Sequence, residues 1–189
     1  MKKSVLSACC LLAACAVWAQ PLTDKDLRRQ AQLFTAVEEQ NQEALAKLLK
    51  KKACRALINL PQADGGTLLH KQARIPDASP AITRLLTAAG ADAKARDGRE
   101  RTPLHYAAEF GEPGTLRALL LAGADPEAYD EYGKTPLDLA RAARRRAAFE
   151  ILKEHILSRY YNRKILAARL ARELHPADVK SAVRGRQIL

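Results

Sequence analysis

The chain has 189 residues, which is enough for one domain with a sizeable hydrophobic core. Apolar residues make up 48% of it and charged residues 28%, a composition that excludes an intrinsically disordered chain. Leu and Ala dominate and β-branched residues are scarce, so we expect an all-α fold. The formal net charge is +11, and its distribution along the chain decides what it implies about partners.

Residues 1–19 have the pattern of a secretory signal peptide that is removed from the mature protein. Lys2 and Lys3 provide a positive start, an uncharged run follows, and Val17-Trp18-Ala19 offers residues that a signal peptidase tolerates. The uncharged run is shorter than the roughly 20 residues that a transmembrane helix needs. We therefore expect a periplasmic or secreted protein, with cleavage after Ala19.

A second interpretation of the same segment stays open. Leu12-Ala13-Ala14-Cys15 resembles the bacterial lipobox, in which the Cys is lipidated and anchors the protein to a membrane. The leader before Cys15 would be short, so we favour the soluble exported protein over the lipoprotein. Cleavage after Ala19 would leave Cys54 without an internal disulfide partner, and a small buried residue is its expected role.

The mature chain opens with a predicted helix pair. Thr23–Asp26 has the pattern of a helix start, with acidic residues near the first turn. Apolar residues recur over 33–37 and again over 45–49, with a polar break between the two groups. Lys50–Lys52 ends the second helix, where cations favour the negative end of the helix dipole. This pattern predicts a helix, a turn and a second helix.

Three later segments start alike, at intervals of 35 and 33 residues. They read GGTLLHKQA at 65–73, ERTPLHYAA at 100–108 and GKTPLDLAR at 133–141. Thr102 and Thr135 are 33 residues apart, and so are Gly90 and Gly123. Thr67 lies 23 residues before Gly90, whereas Thr102 lies 21 residues before Gly123. The earlier unit therefore carries two extra residues, which we place within 76–80, between its helices.

Residues 102–125, TPLHYAAEFGEPGTLRALLLAGAD, resemble one ankyrin repeat, whose unit of about 33 residues is a turn plus two helices. The resemblance implies an all-α solenoid of about four helix-turn-helix repeats with a C-terminal helical extension. The expected ranges are a repeat domain over 20–157, with a cap at about 24–60 and repeats at about 64–97, 98–130 and 131–157, and a basic extension over 158–189.

The resemblance also implies mechanical roles for the motif residues. The helix starts would be capped by threonine hydroxyls at Thr67, Thr102 and Thr135. His70 and His105 would hydrogen-bond between repeats instead of acting on a substrate. Leu68 stands where Pro is usual and Asp138 where His is usual, and terminal units of a solenoid are expected to deviate in this way.

In such a solenoid the resemblance places function on the exposed turns and on the concave face of the first helices. The candidate partner-binding residues are Arg99, Glu100, Arg101, Tyr106, Glu109, Phe110, Asp130, Glu131, Tyr132 and Lys134. Tyr106, Phe110 and Tyr132 are the candidate anchors, because aromatic side chains flanked by charge are enriched where partners dock. The alternative for each is a core ring or a solvated charge.

The positive charge is a property of the C-terminal part. Residues 20–140 hold 17 basic and 17 acidic side chains, whereas residues 141–189 hold 13 basic and 4 acidic ones. An apolar stripe runs through the same region, which predicts an amphipathic helix that Pro176 breaks before a last short helix. The candidate basic patch is Arg141, Arg144, Arg145, Arg146, Arg159 and Arg163. Anionic lipid, an acidic protein and a solenoid cap stay open as its role, whereas export disfavours nucleic acid.

The sequence lacks an evident nucleophile–base pair, metal cluster or phosphate-binding loop. We therefore expect no enzymatic activity, no metal and no cofactor. The leading hypothesis is a monomeric protein-binding module, either an immunity-type inhibitor of a toxin or a scaffold for another exported protein. The alternative is a membrane-associated lipoprotein or lipid-binding protein that uses the basic C-terminal helix or a lipidated Cys15.

Overall fold

The computed structural model describes residues 23–173, and the side chains of 23–162, 164 and 165 within that range. The predicted signal peptide, the Cys15 alternative and the short helix after Pro176 lie outside the described residues. In the described range the chain forms nine helices and no strand, which confirms the all-α prediction. The helices are α1 (Asp24–Glu38), α2 (Gln42–Leu49), α3 (Lys52–Arg55), α4 (Leu68–Arg74), α5 (Pro80–Ala88), α6 (Pro103–Glu109), α7 (Pro113–Leu121), α8 (Pro136–Ala142) and α9 (Arg146–Glu173).

The helices stack in two layers. The first helices of successive repeats, α1, α4, α6 and α8, contact one another in chain order. The second helices, α2, α5, α7 and α9, form the other layer in the same order. Each repeat therefore contacts mainly its neighbours, which is the arrangement of a solenoid.

One continuous core runs between the two layers. Leucine and isoleucine from every repeat are fully buried in it: Leu33, Leu45, Ile58, Leu68, Leu69, Ile82, Leu86, Leu104, Leu116, Leu119 and Leu152. Each such side chain stabilises the fold by roughly 1.5–3 kcal/mol relative to exposure. Cys54 is also fully buried there, as expected for a small apolar residue, and it has no disulfide partner among the described residues.

The loop between α4 and α5 contains the two extra residues. It covers residues 75–79, whereas the equivalent loop between α6 and α7 covers 110–112. Gln40 holds the longer loop in place, because its Oε1 accepts from the Ser79 amide at 2.7 Å and its Nε2 donates to Gln72 Oε1 at 2.9 Å. Gln40 adopts a φ of +50°, which its hydrogen bonds to this loop help to maintain.

The last helix corresponds to the amphipathic helix that the sequence predicts before Pro176. α9 has 28 residues and runs without a break through residue 157, where we expected the extension to begin. The reason is local, since no Gly or Pro occurs between Arg146 and Glu173 to end it. A helix of this length spans about 42 Å. Its first part serves as the second helix of the fourth repeat, and the rest continues along the same axis.

No helix within residues 23–173 has the length and apolar character that crossing a bilayer requires.

Candidate functional site

The turns that link successive repeats are called tips below: the first is 64–66, the second 97–101 and the third 130–134. The aspartate at the start of each tip accepts a hydrogen bond from an amide of the same turn. Asp130 Oδ1 accepts hydrogen bonds from the amides of Tyr132, at 2.9 Å, and Lys134, at 2.8 Å. Asp97 makes the equivalent pair of bonds one repeat earlier, at 2.9 Å each. Burial opposes ionisation of Asp97, but a hydrogen bond from the Tyr106 hydroxyl and those from the tip amides outweigh it and lower its pKa.

Neighbouring tips are also tied to each other. The Gly98 amide donates to the Asp64 carbonyl at 3.0 Å, and the Glu131 amide donates to the Arg99 carbonyl at 3.1 Å. These bonds connect the second tip to the first and the third to the second. The tips therefore form one connected row along an edge of the solenoid.

Two histidines connect the first helices to the tips. His105 Nδ1 lies 3.1 Å from the Thr102 amide, and its Nε2 lies 3.1 Å from the Lys134 carbonyl oxygen. Because Nδ1 accepts from an amide, the proton is on Nε2, which donates to the carbonyl. His70 makes the same bridge to the Arg101 carbonyl at 3.0 Å. Both histidines have the inter-repeat role that the resemblance implied.

Acidification is expected to destabilise the protein below about pH 6.5 through these histidines. Burial lowers the pKa of both His70 and His105 from 6.5, so the unfolded chain takes up protons first as the pH falls. The free energy of unfolding should then decrease by up to about 1.4 kcal/mol per pH unit for each histidine until its folded pKa is passed. Urea titrations at pH 7.5, 6 and 5 measure this slope.

The aspartates provide the internal comparison for that experiment. The pKa values of Asp97 and Asp138 are lowered from 3.8, so their contribution to stability is lost only at more acidic pH. Equal free energies of unfolding at pH 7.5 and pH 5 would contradict the assignment of the neutral, buried state to the two histidines.

Tyr106 is a structural residue, which corrects its prediction as an exposed anchor. Its side chain is 7% exposed, and its hydroxyl donates to Asp97 Oδ2 at 2.5 Å. Burial and this carboxylate raise its pKa to about 12. The guanidinium groups of Arg74 and Arg101 lie 5.2 and 5.5 Å from its ring centroid. The repeat motif gives the position of residue 106 on its helix. It does not show that the Asp97 carboxylate in the tip lies close enough to bind the Tyr106 hydroxyl.

Arg101, Glu109 and Asp130 are likewise occupied internally. Arg101 Nη1 lies 2.9 Å from Glu109 Oε2, and its Nε lies 3.4 Å from Asp130 Oδ2. The Arg101 side chain is only 13% exposed and that of Asp130 is fully buried. Burial opposes the charge on Arg101, but the nearby Glu109 and Asp130 carboxylates outweigh it and raise its pKa. These three predicted contact residues hold tips and helices together, and their side chains are at most 25% exposed.

The remaining predicted contact residues are accessible. They are Arg99, Glu100, Glu131, Tyr132 and Lys134 on the tips and Phe110 at the end of α6. Tyr132 is 68% exposed and Phe110 is 41% exposed. Glu100 is paired with Arg96 at 3.1 Å. We define the tip surface as Arg99, Tyr129, Glu131, Tyr132 and Lys134.

Tyr129 is the member of the tip surface that the sequence prediction missed. It is 61% exposed, and its carbonyl accepts from Arg96 Nη1 at 2.8 Å, which ties its loop to the preceding tip. The signal was present, since Tyr129 is an aromatic residue next to acidic ones in the same loop as Tyr132. The same criterion that selected Tyr132 would have selected Tyr129.

The structure brings four residues of the predicted basic patch together. Arg141, Arg144, Arg145 and Arg146 surround a shallow concavity of about 190 Å³ beside Phe149. Arg145 donates from Nε to the Glu109 carbonyl at 3.2 Å and from Nη2 to the Phe110 carbonyl at 3.0 Å, so it caps the end of α6.

The other two members of that patch do not join this group. Arg159 lies about 20 Å further along α9 and is 3.7 Å from Asp125. The side chain of Arg163 lies outside the described ones. Among the described side chains, the cluster is therefore formed by the four arginines at the start of α9.

A metal site is not formed by the described residues, where no group of three His, Cys, Asp or Glu side chains is arranged to hold an ion. The tip surface offers two aromatic side chains, two cations and an anion on a fixed backbone. This is the chemistry of recognition by contact.

Stacked helix pairs, a histidine bridge in each internal repeat and a connected row of turns define a helical-repeat solenoid. The chain matches the family model described as ankyrin repeats (3 copies) over residues 69–164. That match covers half of the chain, and the protein belongs to the ankyrin repeat family. A comparison with curated protein sequences found no significant match. Ankyrin repeats are generally protein–protein interaction modules, so binding of another protein is the function that this family supports.

Proposed function

We propose that this chain is a non-enzymatic, exported binding module that holds one partner protein through its tip surface. The observation that carries the proposal is Tyr132, a large aromatic side chain that is 68% exposed on a turn whose backbone is fixed by Asp130. Exposed aromatic residues on a rigid turn are favoured anchors, because binding buries a large area with little ordering of the chain.

The charges around Tyr132 suit a specific partner. Arg99 and Glu131 are exposed on either side of the backbone bond that joins their tips, and Lys134 follows in the same turn. Rim charges of both signs orient a partner and select against others. A toxin held by an immunity-type inhibitor and an exported protein held by a scaffold are the two partner types that we propose.

Export is part of this proposal. It is supported by the signal-peptide pattern of residues 1–19. The test is the mass of the mature N-terminus isolated from cells. A chain that begins at Gln20 supports the soluble exported protein, and a diacylglyceryl group on Cys15 supports the lipoprotein instead.

The double substitution of Arg99 and Tyr132 by alanine is expected to weaken partner binding at least tenfold, because it removes the exposed anchor and its neighbouring charge. The partner is first identified by affinity purification from the periplasm with mass spectrometry, and its dissociation constant is then measured against wild type and variant. Both residues are exposed, so the free energy of unfolding should change by less than about 0.5 kcal/mol.

The matched control is Tyr160→Ala, which removes an exposed tyrosine of similar accessibility (58%) on α9, away from the tips. We expect this variant to bind the partner as wild type does. Equal affinity of wild type and the Arg99/Tyr132 double variant would reject the tip surface as the binding site.

A second candidate function is binding of anionic lipid headgroups by the arginine cluster at the start of α9. The observation in its favour is that Arg144 and Arg146 are exposed beside the concavity at Phe149, where Arg141 and Arg145 add to the positive charge. Co-sedimentation with anionic vesicles over a salt titration tests it. Absence of binding at low salt would remove this candidate.

A further inference from the structure

Helix α9 has two opposite apolar faces. One face packs on the repeats through Ala148 and Leu152, which are 3% and 0% exposed. Leu157 and Tyr161 project about 180° away from that face, given 3.6 residues per turn. They are 56% and 67% exposed. None of the described residues therefore covers the second face.

The exposed part of α9 is long. From Leu157 to Ile165, every described side chain is exposed. A helix that stands in water without packing is only marginally stable, because most helical stability in proteins comes from burial of an apolar face. A partner helix on this face would supply that burial.

The outward face of α9 has an acidic residue at one end and a basic residue at the other. Glu154, Leu157, Tyr161 and Lys164 follow one another at steps of three, four and three residues, so they form a single stripe along α9. The acidic residue lies toward the start of the helix and the basic residue toward its end. Such a stripe matches itself when one copy is reversed, whereas a parallel pairing would place like charges together.

We propose that the outward face of α9 pairs in antiparallel orientation with the same face of a second copy of this chain. With the twofold axis at residue 159, Leu157 meets the Tyr161 of the other copy and Glu154 meets its Lys164. The same twofold axis relates both pairs, so each contact occurs twice in the dimer. The occupant is therefore a second copy, selected by the order of charges and apolar residues on the stripe.

A neighbouring groove extends the proposed interface. It lies between α7 and α9, has a volume of about 310 Å³ and is lined by Leu121, Ile151 and Glu154 among others. Leu121 is 84% exposed, and Glu154 belongs to both the groove and the stripe. The exposed apolar side chains of groove and stripe offer on the order of 500 Å² per copy. This is below the roughly 800 Å² per partner of a standard interface, so the dimer is expected to be weak.

This pairing revises the monomer that we expected from the sequence, and it does not depend on the tip surface. Sedimentation velocity of the purified mature protein, from about 1 to 100 µM, tests it. We expect a monomer–dimer equilibrium within this range. Glu154→Lys and Lys164→Glu should each raise the dissociation constant at least tenfold, and the double variant should restore it to within about threefold.

Glu127→Lys is the matched control, since it reverses an exposed charge on a loop outside α9 and should leave the dissociation constant unchanged. Circular dichroism checks that each variant is folded. A wild-type protein that stays monomeric throughout the range would overturn the proposal. So would a double variant that dimerises no better than the single ones, or a monomer whose α9 stripe binds anionic vesicles instead.

Discussion

Replacement of His105 by alanine is expected to lower the free energy of unfolding by about 3–4 kcal/mol. The imidazole accepts from the buried Thr102 amide and donates to the Lys134 carbonyl. Its removal therefore leaves the Thr102 amide without a partner, while the carbonyl keeps only the hydrogen bond from the Asp130 amide. An unsatisfied buried polar group costs about 1–3 kcal/mol, and the cavity at this fully buried position adds to that cost. Urea denaturation followed by circular dichroism measures the change.

Asp138→Ala is the matched control in the last repeat. Asp138 takes the place of the histidine and accepts from the Thr135 amide at 3.1 Å, but all of its hydrogen bonds stay within its own turn. Its loss is expected to cost about 1 kcal/mol, the value of a helix cap. The difference in free energy of unfolding between the two variants measures the contribution of the hydrogen bond between repeats, from His105 to the Lys134 carbonyl. Equal losses would show that His105 acts only as a cap.

Gly65→Ala is expected to cost about 3 kcal/mol or more. Gly65 has a φ of +79°, where an L side chain is strained by about 1–2 kcal/mol. In addition, an added Cβ would lie 2.6 Å from the backbone nitrogen of Gly98, so the hydrogen bond from that amide to the Asp64 carbonyl would have to lengthen or break. The first and second tips would then separate.

Gly133→Ala separates these two effects. Gly133 also has a positive φ, of +68°, but nothing lies within 4 Å of the added Cβ. We expect a loss of about 1–2 kcal/mol from the backbone conformation alone. If the two glycine variants were equally destabilised in the same denaturation experiment, the close contact between the tips would have no energetic importance.

The sequence was sufficient to predict the repeats, because their helices are set by local signals. Thr102 and Thr135 are one repeat of 33 residues apart, and each marks a helix start that the structure confirms. The role of His105 followed from the resemblance, and its two hydrogen bonds bear it out. The two-residue insertion also followed from spacing alone, since it is a difference in loop length.

Whether an individual site residue is buried or exposed could not be predicted in the same way. Arg101 and Tyr106 were chosen for type and position, but their burial depends on contacts with the side chains of Asp130 and Asp97. The two aspartates recur 33 residues apart, but the residues that they contact are not equivalent in successive repeats, so the repeat pattern does not predict these contacts. The amphipathic helix predicted before Pro176 corresponds to α9, because neither Gly nor Pro occurs within it. Whether the tip surface binds a partner stays a prediction.

The hydrogen bonds that tie neighbouring tips have a thermodynamic consequence for any partner. Free loops lose conformational entropy when they dock, at roughly 1–2 kcal/mol for each backbone residue that becomes fixed. In this protein the amides of Gly98 and Glu131 are already bonded across the tips, and the Asp130 carboxylate already holds the turn that carries Tyr132. Little of that entropy remains to be lost. A small contact area on this edge can therefore support a tighter complex than the same area on mobile loops.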